Sequence, residues 1–177
     1  MSLEANESGR LWGDDPEARR ALSSPDGCRV CARDPRGRGA LIETADCWIS
    51  IWPEAPLPGY VCVISKTHVV EPYQLDEDAQ VRFWLGCMAV AKGVAELLAP
   101  AKMNYEIHGN TDPHLHMHLF PRHANDVRVG YPNHCRVTFE RSPEDVERLD
   151  SAFRASLGTR AWWSGDVPRS CVPYLPD

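Results

Sequence analysis

The fold of this chain is decided by one segment, His114-Leu115-His116-Met117-His118-Leu119-Phe120. Side chains alternate between the two faces of a β-strand, so the three histidines are predicted to line one face at intervals of roughly 7 Å, with Leu115, Met117 and Leu119 on the other. A single histidine in a strand is usually structural. Three rings that each titrate near pKa ~6.5 indicate instead a face that binds or transforms a ligand.

Two chemistries suit such a face. Neutral imidazoles can bind a transition metal, typically zinc, and leave an open position for an activated water. Alternatively, one imidazole can attack phosphorus and form a covalent phosphoramidate, while its neighbours move protons and hold oxygens. A metal-activated water normally needs a nearby carboxylate as its general base, and the segment contains none. The residues therefore favour the phosphorus chemistry.

Apolar patterning on both sides of this segment predicts more of a sheet. Residues 60–64 are apolar on both faces, which is typical of a central strand covered on both sides. Residues 40–52 indicate two extended pieces, and residues 103–107 a further strand before the turn at 109–113. We therefore expect strands on either side of one long helix.

That helix is predicted between residues 76 and 100. Pro100 ends it, and its apolar residues recur at steps of three and four: Val81, Trp84, Leu85, Met88, Ala91, Ala95 and Leu98. Gly86 and Gly93 indicate a close helix contact, which a dimer could supply, although glycines tolerated at solvent are the alternative. Ser142, followed by Pro143 and two acids, predicts the start of a second, shorter helix.

Composition limits the class of protein. The chain has 177 residues, 43% hydrophobic and 25% charged, which suits one globular domain. Lys and Arg total 19 against 25 Asp and Glu, and the net charge of -6 with no basic run argues against long nucleic acid as a partner. No stretch approaches the ~20 apolar residues of a membrane span, and the opening MSLEANESGR does not resemble a signal peptide. We therefore expect no membrane partner and a cytoplasmic location, where the seven cysteines would be thiols or metal ligands.

Two segments together resemble the histidine triad (HIT) superfamily. GNTDPHLHMHLFPR at 109–122 is similar to its His-x-His-x-His signature, and GYVCVISKTHVVEPYQL at 59–75 is similar to its strand and Lys-x-His turn. Pro113, directly before the first histidine, also resembles the galactose-1-phosphate uridylyltransferase branch. The resemblance implies an α+β HIT-like fold with an antiparallel sheet of about five strands, one main amphipathic helix, a short C-terminal helix and a homodimer.

The resemblance also implies a reaction. His116 would be the nucleophile that attacks the phosphate of a nucleotide or nucleotide-sugar-type substrate, His118 would contact the phosphate and assist the leaving group, and the His114 main chain would orient His116. Asn110 and Thr111, just before the motif, would donate to phosphate oxygens. Water as the second acceptor makes the protein a nucleotidyl hydrolase, whereas a phosphorylated acceptor makes it a transferase.

A structural zinc site is predicted near the start of the domain. Cys28 and Cys31 have the Cys-x-x-Cys spacing that suits tetrahedral zinc, although such pairs are often idle or redox-active. Several members of the superfamily combine such a pair with the Lys-x-His histidine and the first triad histidine, which here implies His68 and His114. Four protein ligands leave no open position, so this metal would be structural.

One departure from the family pattern and two alternative functions remain. Many family hydrolases have Gly-His where this chain has Gly59-Tyr60, which leaves the recognition of ribose open. The alternatives are a zinc-stabilised nucleotide-binding module with little turnover and a metallohydrolase that uses the triad as ligands. We expect an N-terminal arm over residues 1–26, a HIT domain over 27–141, and a C-terminal helix and tail over 142–177 that pack on the same domain.

Overall fold

A computed structural model describes residues 17, 20–21, 23–32, 40–126 and 139–157. The elements in chain order are α1 (Arg29–Ala32), β1 (Ala40–Glu43), β2 (Cys47–Ile51), β3 (Glu54–Ala55), β4 (Val61–Ser65), a 3-10 turn (Pro72–Gln74), α2 (Glu77–Leu98), β5 (Lys102–Glu106), β6 (His116–Arg122), β7 (Phe139–Glu140) and α3 (Pro143–Leu157). The predicted arm over 1–26 lies mostly outside the described residues, as does the tail after residue 157.

Five strands form one antiparallel sheet in the order β1-β2-β4-β6-β5. β4 lies at its centre, and all five of its side chains are buried, as the run of apolar residues at 60–64 predicts. β3 and β7 pair separately as a short two-stranded sheet. The predicted α+β class and the sheet of about five strands are confirmed.

The two faces of this sheet differ in what covers them. On one face Val61, Val63, Met117 and Leu119 join the main core with residues of α2 and α3. The opposite face carries His116 and His118 beside a smaller apolar cluster that includes Cys62 and Phe120. The prediction of one core face and one histidine face is therefore correct, but the histidine face also contains apolar packing of its own.

Helix α2 begins after Asp76, whose carboxylate accepts a hydrogen bond from the Ala79 amide at 2.7 Å. It ends at Leu98 and is capped by Ala99, which has a left-handed φ of 44° and precedes Pro100. The prediction of which apolar residues of α2 pack against the core is wrong in part. The buried face of the helix includes Phe83, Cys87, Val90 and Val94, whereas Val81, Trp84 and Met88 are exposed. Apolar residues occupy two faces of this helix, so periodicity alone does not identify the one that meets the core.

The close helix contact predicted at Gly93 exists within one chain. A Cβ at this position would lie 2.9 Å from Ser156 Oγ and 3.0 Å from the carbonyl oxygen of Ala152, both on α3. α3 has the predicted N-cap, since Ser142 Oγ accepts a hydrogen bond from the Asp145 amide at 3.1 Å. Three of its side chains join the main core: Leu149, Phe153 and Leu157. Within the described residues, no helix has the length and apolar character needed to span a bilayer.

Candidate active site and metal centre

The three motif histidines do not share one strand. β6 begins at His116, and His114 lies two residues before it with its side chain buried. Its Nε2 donates to the carbonyl oxygen of Ser65 at 2.7 Å, and its Nδ1 faces two cysteines and His68. The expectation of three rings side by side on one strand is therefore wrong for His114, which precedes β6 and whose ring faces Cys28, Cys31 and His68.

His116 and His118 do lie side by side on β6, with ring centroids 4.7 Å apart. The Nδ1 of His116 donates to the main-chain carbonyl oxygen of His114 at 2.6 Å. A neutral imidazole carries one proton, so this bond leaves the Nε2 of His116 with a free lone pair. The His114 main chain thus fixes the tautomer that a nucleophilic histidine needs.

His118 is held by Tyr60, whose hydroxyl lies 2.7 Å from the Nδ1 of His118. Burial raises the pKa of Tyr60 far above its ordinary value, so the hydroxyl keeps its proton and is the donor. Nε2 of His118 then carries the ring proton and can donate to a ligand oxygen. Arg141, which lies between β7 and α3, holds the backbone at Tyr60 in place. Its guanidinium donates hydrogen bonds to the main-chain oxygen of Tyr60 and, at 2.6 Å, to that of Trp52.

The electrostatics keep both rings neutral. Burial lowers the pKa of His118 to about 3, with further contributions from His116 and His108. Burial also lowers the pKa of His116, and the nearby His108 adds to that effect. A neutral His116 has a lone pair at physiological pH, and a neutral His118 can still donate a hydrogen bond.

A second cluster consists of Cys28, Cys31, His68 and His114, whose ligand atoms all lie within 4.8 Å of one another. The two histidine Nδ1 atoms are 3.3 Å apart, and three sulfur-to-nitrogen distances run from 3.3 to 3.6 Å. A tetrahedral zinc ion with ordinary bond lengths would separate its ligands by about 3.3 Å between nitrogens and about 3.6 Å between sulfur and nitrogen. The four predicted ligands are thus brought together, and they could hold a metal.

Contacts around the cluster prepare both histidines for a metal. His68 Nε2 lies 2.9 Å from the carbonyl oxygen of Ser23, and His114 Nε2 donates to Ser65. Both Nδ1 atoms therefore present lone pairs to the centre of the cluster, as in metal sites whose histidines are oriented by carbonyl groups. Burial, reinforced by Cys28, raises the pKa of the Cys31 thiol to about 11. A bound cation would displace such thiol protons.

The loop between β5 and β6 carries Asn110 and Thr111 at exposed positions. Arg29, inside the Cys-x-x-Cys segment, braces this loop through an ion pair with Asp112 at 2.9 Å and a hydrogen bond to the Thr111 carbonyl oxygen. The cluster of Cys28, Cys31, His68 and His114 is thus attached, through Arg29, to the loop that precedes β6. Contact of Asn110 and Thr111 with phosphate remains a prediction.

Two residues of the site were missed by the sequence argument. Glu106, the last residue of β5, lies directly opposite His118, and His108 Nε2 donates to its carboxylate at 2.9 Å. The ring of His108 lies 5.9 Å from that of His118. The sequence predicts that the strands on either side of the turn at 109–113 pair with each other. It does not predict the register of that pairing, which places Glu106 opposite His118.

Comparisons with known proteins agree with this geometry. Residues 38–125 match the family model of the HIT domain, and no curated protein matches the chain. A histidine triad protein from Bradyrhizobium japonicum is 21% identical, with a TM-score of 0.60, over 66% of this chain and 88% of that one. A hypothetical histidine triad nucleotide-binding protein from Sulfolobus tokodaii is 20% identical, with a TM-score of 0.54, over 74% and 91%.

A third similar structure is a zinc-bound histidine triad family protein from Mycobacterium smegmatis. It is 22% identical, with a TM-score of 0.52, over 76% of this chain and 95% of that one. At such identities these likenesses concern the fold, and the family match concerns about half of the chain, the half that contains both motif segments. From residue 38 to residue 125, the chain is a HIT domain.

Proposed function

We propose that this protein is a nucleotidyl hydrolase or transferase that works through a covalent nucleotidyl intermediate on His116. The observation that carries the proposal is the 2.6 Å hydrogen bond from His116 Nδ1 to the His114 carbonyl oxygen. It directs an unprotonated Nε2 away from the main chain, as attack on phosphorus requires. The HIT domain and the similar nucleotide-binding protein from Sulfolobus tokodaii support a nucleotide as the ligand.

The reaction has two steps. Nε2 of His116 forms a bond to the phosphorus of the nucleotidyl group, and the bond from phosphorus to the leaving-group oxygen breaks. Water or a second phosphorylated compound then attacks the same phosphorus, and the bond to His116 breaks. The Nε2–H of His118 and the loop residues Asn110 and Thr111 hold the phosphoryl oxygens while their charge develops.

The test is to trap the intermediate. The protein is mixed with an adenylyl substrate labelled in its phosphate, quenched in base, and analysed by intact mass and peptide mapping, since a phosphoramidate survives base and is cleaved by acid. We expect the label on His116 and its loss in His116→Ala. His123→Ala, beyond the far end of β6, is the matched control and should still be labelled. Tight nucleotide binding without label or His116-dependent product would support the binding module instead.

Partition of the intermediate separates the two enzyme classes. Adding galactose 1-phosphate or inorganic phosphate to a turnover reaction tests for a transferase, because a true acceptor diverts product away from the nucleoside monophosphate. An unchanged yield of the monophosphate identifies a hydrolase. The resemblance at Pro113 to the uridylyltransferase branch motivates the sugar phosphate as one acceptor.

We also propose that the Cys28, Cys31, His68 and His114 cluster holds a structural zinc ion. Four protein ligands fill a tetrahedral shell, so the ion would fasten α1 to the start of β6 and offer no position to substrate. Among the described residues, His116 and His118 belong to no group of potential ligands, which argues against a metallohydrolase built on the triad. Zinc retained in His118→Ala and lost in Cys28→Ser would support this assignment.

We also propose that the protein is a homodimer in the cytoplasm. Val81, Trp84 and Met88 form an exposed apolar stripe on α2. Burying such a stripe against a second copy would remove it from water. Trp84→Glu should lower the mass measured by light scattering from that of two chains to that of one, whereas Lys92→Glu on the exposed surface of the same helix should not. A monomeric native protein would contradict the dimer without affecting the reaction.

A further inference from the structure

A fourth histidine borders the reacting pair from the neighbouring strand. Antiparallel pairing of β5 with β6 places Glu106 opposite His118, and His108 follows two residues later. The Nε2–H of His108 donates to the Glu106 carboxylate at 2.9 Å, and its ring centroid is 5.9 Å from that of His118. The site therefore contains a carboxylate and histidine pair that is separate from the metal cluster.

This pair differs from the strand histidines in access to solvent and in bonding. The His108 side chain is 47% exposed, whereas Glu106 beneath it is only 10% exposed. The partners of His116 and His118 are neutral, a main-chain carbonyl and a Tyr60 hydroxyl, whereas the partner of His108 is a carboxylate. Since the carboxylate of Glu106 holds Nε2 of His108, Nδ1 is the nitrogen that can exchange a proton with solvent or substrate.

The proposed two-step reaction needs such a group. A leaving oxygen must gain a proton unless it is stable as an anion, and an attacking water or hydroxyl must lose one. His116 cannot supply that proton while it forms the bond to phosphorus. In the proposed reaction the single ring proton of His118, on Nε2, holds the phosphoryl group, so it is not available for the leaving group, the second role that the family resemblance implies for His118.

We propose that His108, oriented by Glu106, is the proton-transfer residue of this site. This inference rests on the proposed function. In the first step Nδ1–H of protonated His108 passes its proton to the leaving-group oxygen as the bond from phosphorus to that oxygen breaks. In the second step neutral His108 takes a proton from the attacking water or hydroxyl as the bond from phosphorus to His116 breaks. The ring thereby returns to its starting state.

The test compares leaving groups with different needs for a proton. Two esters of the same nucleoside monophosphate are used, one with p-nitrophenol and one with a simple alkyl alcohol. For His108→Gln we expect kcat/KM on the alkyl ester to fall by about 100-fold, the usual size of a general-acid contribution, and on the p-nitrophenyl ester by less than about threefold. Glu106→Gln should show the same selectivity with a smaller loss. His123→Gln is the matched control.

The outcomes separate this inference from the proposed function. Equal losses on both esters would mean that His108 only supports the structure, and no loss on the alkyl ester would mean that it takes no part. In either case turnover abolished by His116→Ala would leave the proposed function standing. If neither ester is turned over in a His116-dependent way, the proposed function and this inference both fail.

Discussion

Tyr60→Phe removes one oxygen atom from the site and leaves the ring in place. Tyr60 is only 3% exposed, and its hydroxyl donates to Nδ1 of His118 across 2.7 Å. The ring itself packs near Phe120 and Trp52, with centroid distances of 5.0 and 6.0 Å. The substitution should therefore keep the apolar packing while it releases His118 from a fixed tautomer.

The size of the effect follows from burial. Nδ1 of His118 loses its donor at a place where Tyr60 excludes water, and a buried acceptor without a partner costs about 2 kcal/mol. For a chain of this size that corresponds to a melting temperature lower by about 4–8 °C. A hydrogen bond to a charged group contributes about 1.5–3 kcal/mol, so misorienting the Nε2–H donor to the phosphoryl group should lower kcat by about 10-fold to 100-fold.

Two measurements check this reasoning: thermal unfolding followed by circular dichroism and steady-state hydrolysis of a nucleoside monophosphate ester. Tyr73→Phe is the matched control, because Tyr73 is 76% exposed, and it should change neither quantity. The larger effect should fall on kcat, since in the proposed reaction His118 acts on the charge that develops on the phosphoryl group. A Tyr60→Phe protein indistinguishable from Tyr73→Phe would refute the role of the hydroxyl.

Three further predictions concern the metal, pH and helix packing. Cys28→Ser should reduce zinc, measured by elemental analysis, from about one ion per chain to well below that, whereas Cys87→Ala outside the cluster should retain it. Burial lowers the pKa of His118 to about 3 in the folded protein, whereas the pKa of a histidine in the unfolded chain is about 6.5. As the pH falls below ~6.5, His118 therefore takes up a proton in the unfolded chain before it does so in the folded protein. The free energy of unfolding should therefore decrease from about pH 6.5 towards 3, and His118→Asn should flatten this slope in urea titrations by up to about 1.4 kcal/mol per pH unit. Gly93→Ala should lower the free energy of unfolding by about 1–3 kcal/mol through its contact with α3, and an unchanged urea midpoint would contradict that contact.

Local patterns were sufficient to predict much of this fold. The apolar run of β4, the alternation of β6 and the N-cap of α3 each depend on a few neighbouring residues, and the structure has all three. The prediction for α2 is wrong at Val81 and Trp84 because these exposed residues follow the same period as the buried ones. Which stripe faces the core depends on the sheet, and no local pattern contains that information.

The site was predictable where its residues share a motif and not where pairing brings them together. Cys28 and His114 were linked through family resemblance, and their side chains meet at 3.4 Å. In the sequence Tyr60 stands out only as a departure from Gly-His, although its hydroxyl contacts His118 in the structure. The position of His108 depends on the register between β5 and β6, which places its partner Glu106 opposite His118. A slip of one residue would turn Glu106 to the opposite face of the sheet.

His114 joins the two halves of the site, because its side chain and its main chain serve different groups. The ring belongs to the cluster with Cys28, Cys31 and His68, while the carbonyl oxygen of the same residue fixes the tautomer of His116. A metal bound to Nδ1 would hold the ring against Ser65 and, through it, the backbone that presents this carbonyl. In the proposed function, structural zinc and phosphorus chemistry are therefore mechanically coupled: loss of the ion would act on catalysis through the orientation of His116, without contact between the metal and the substrate.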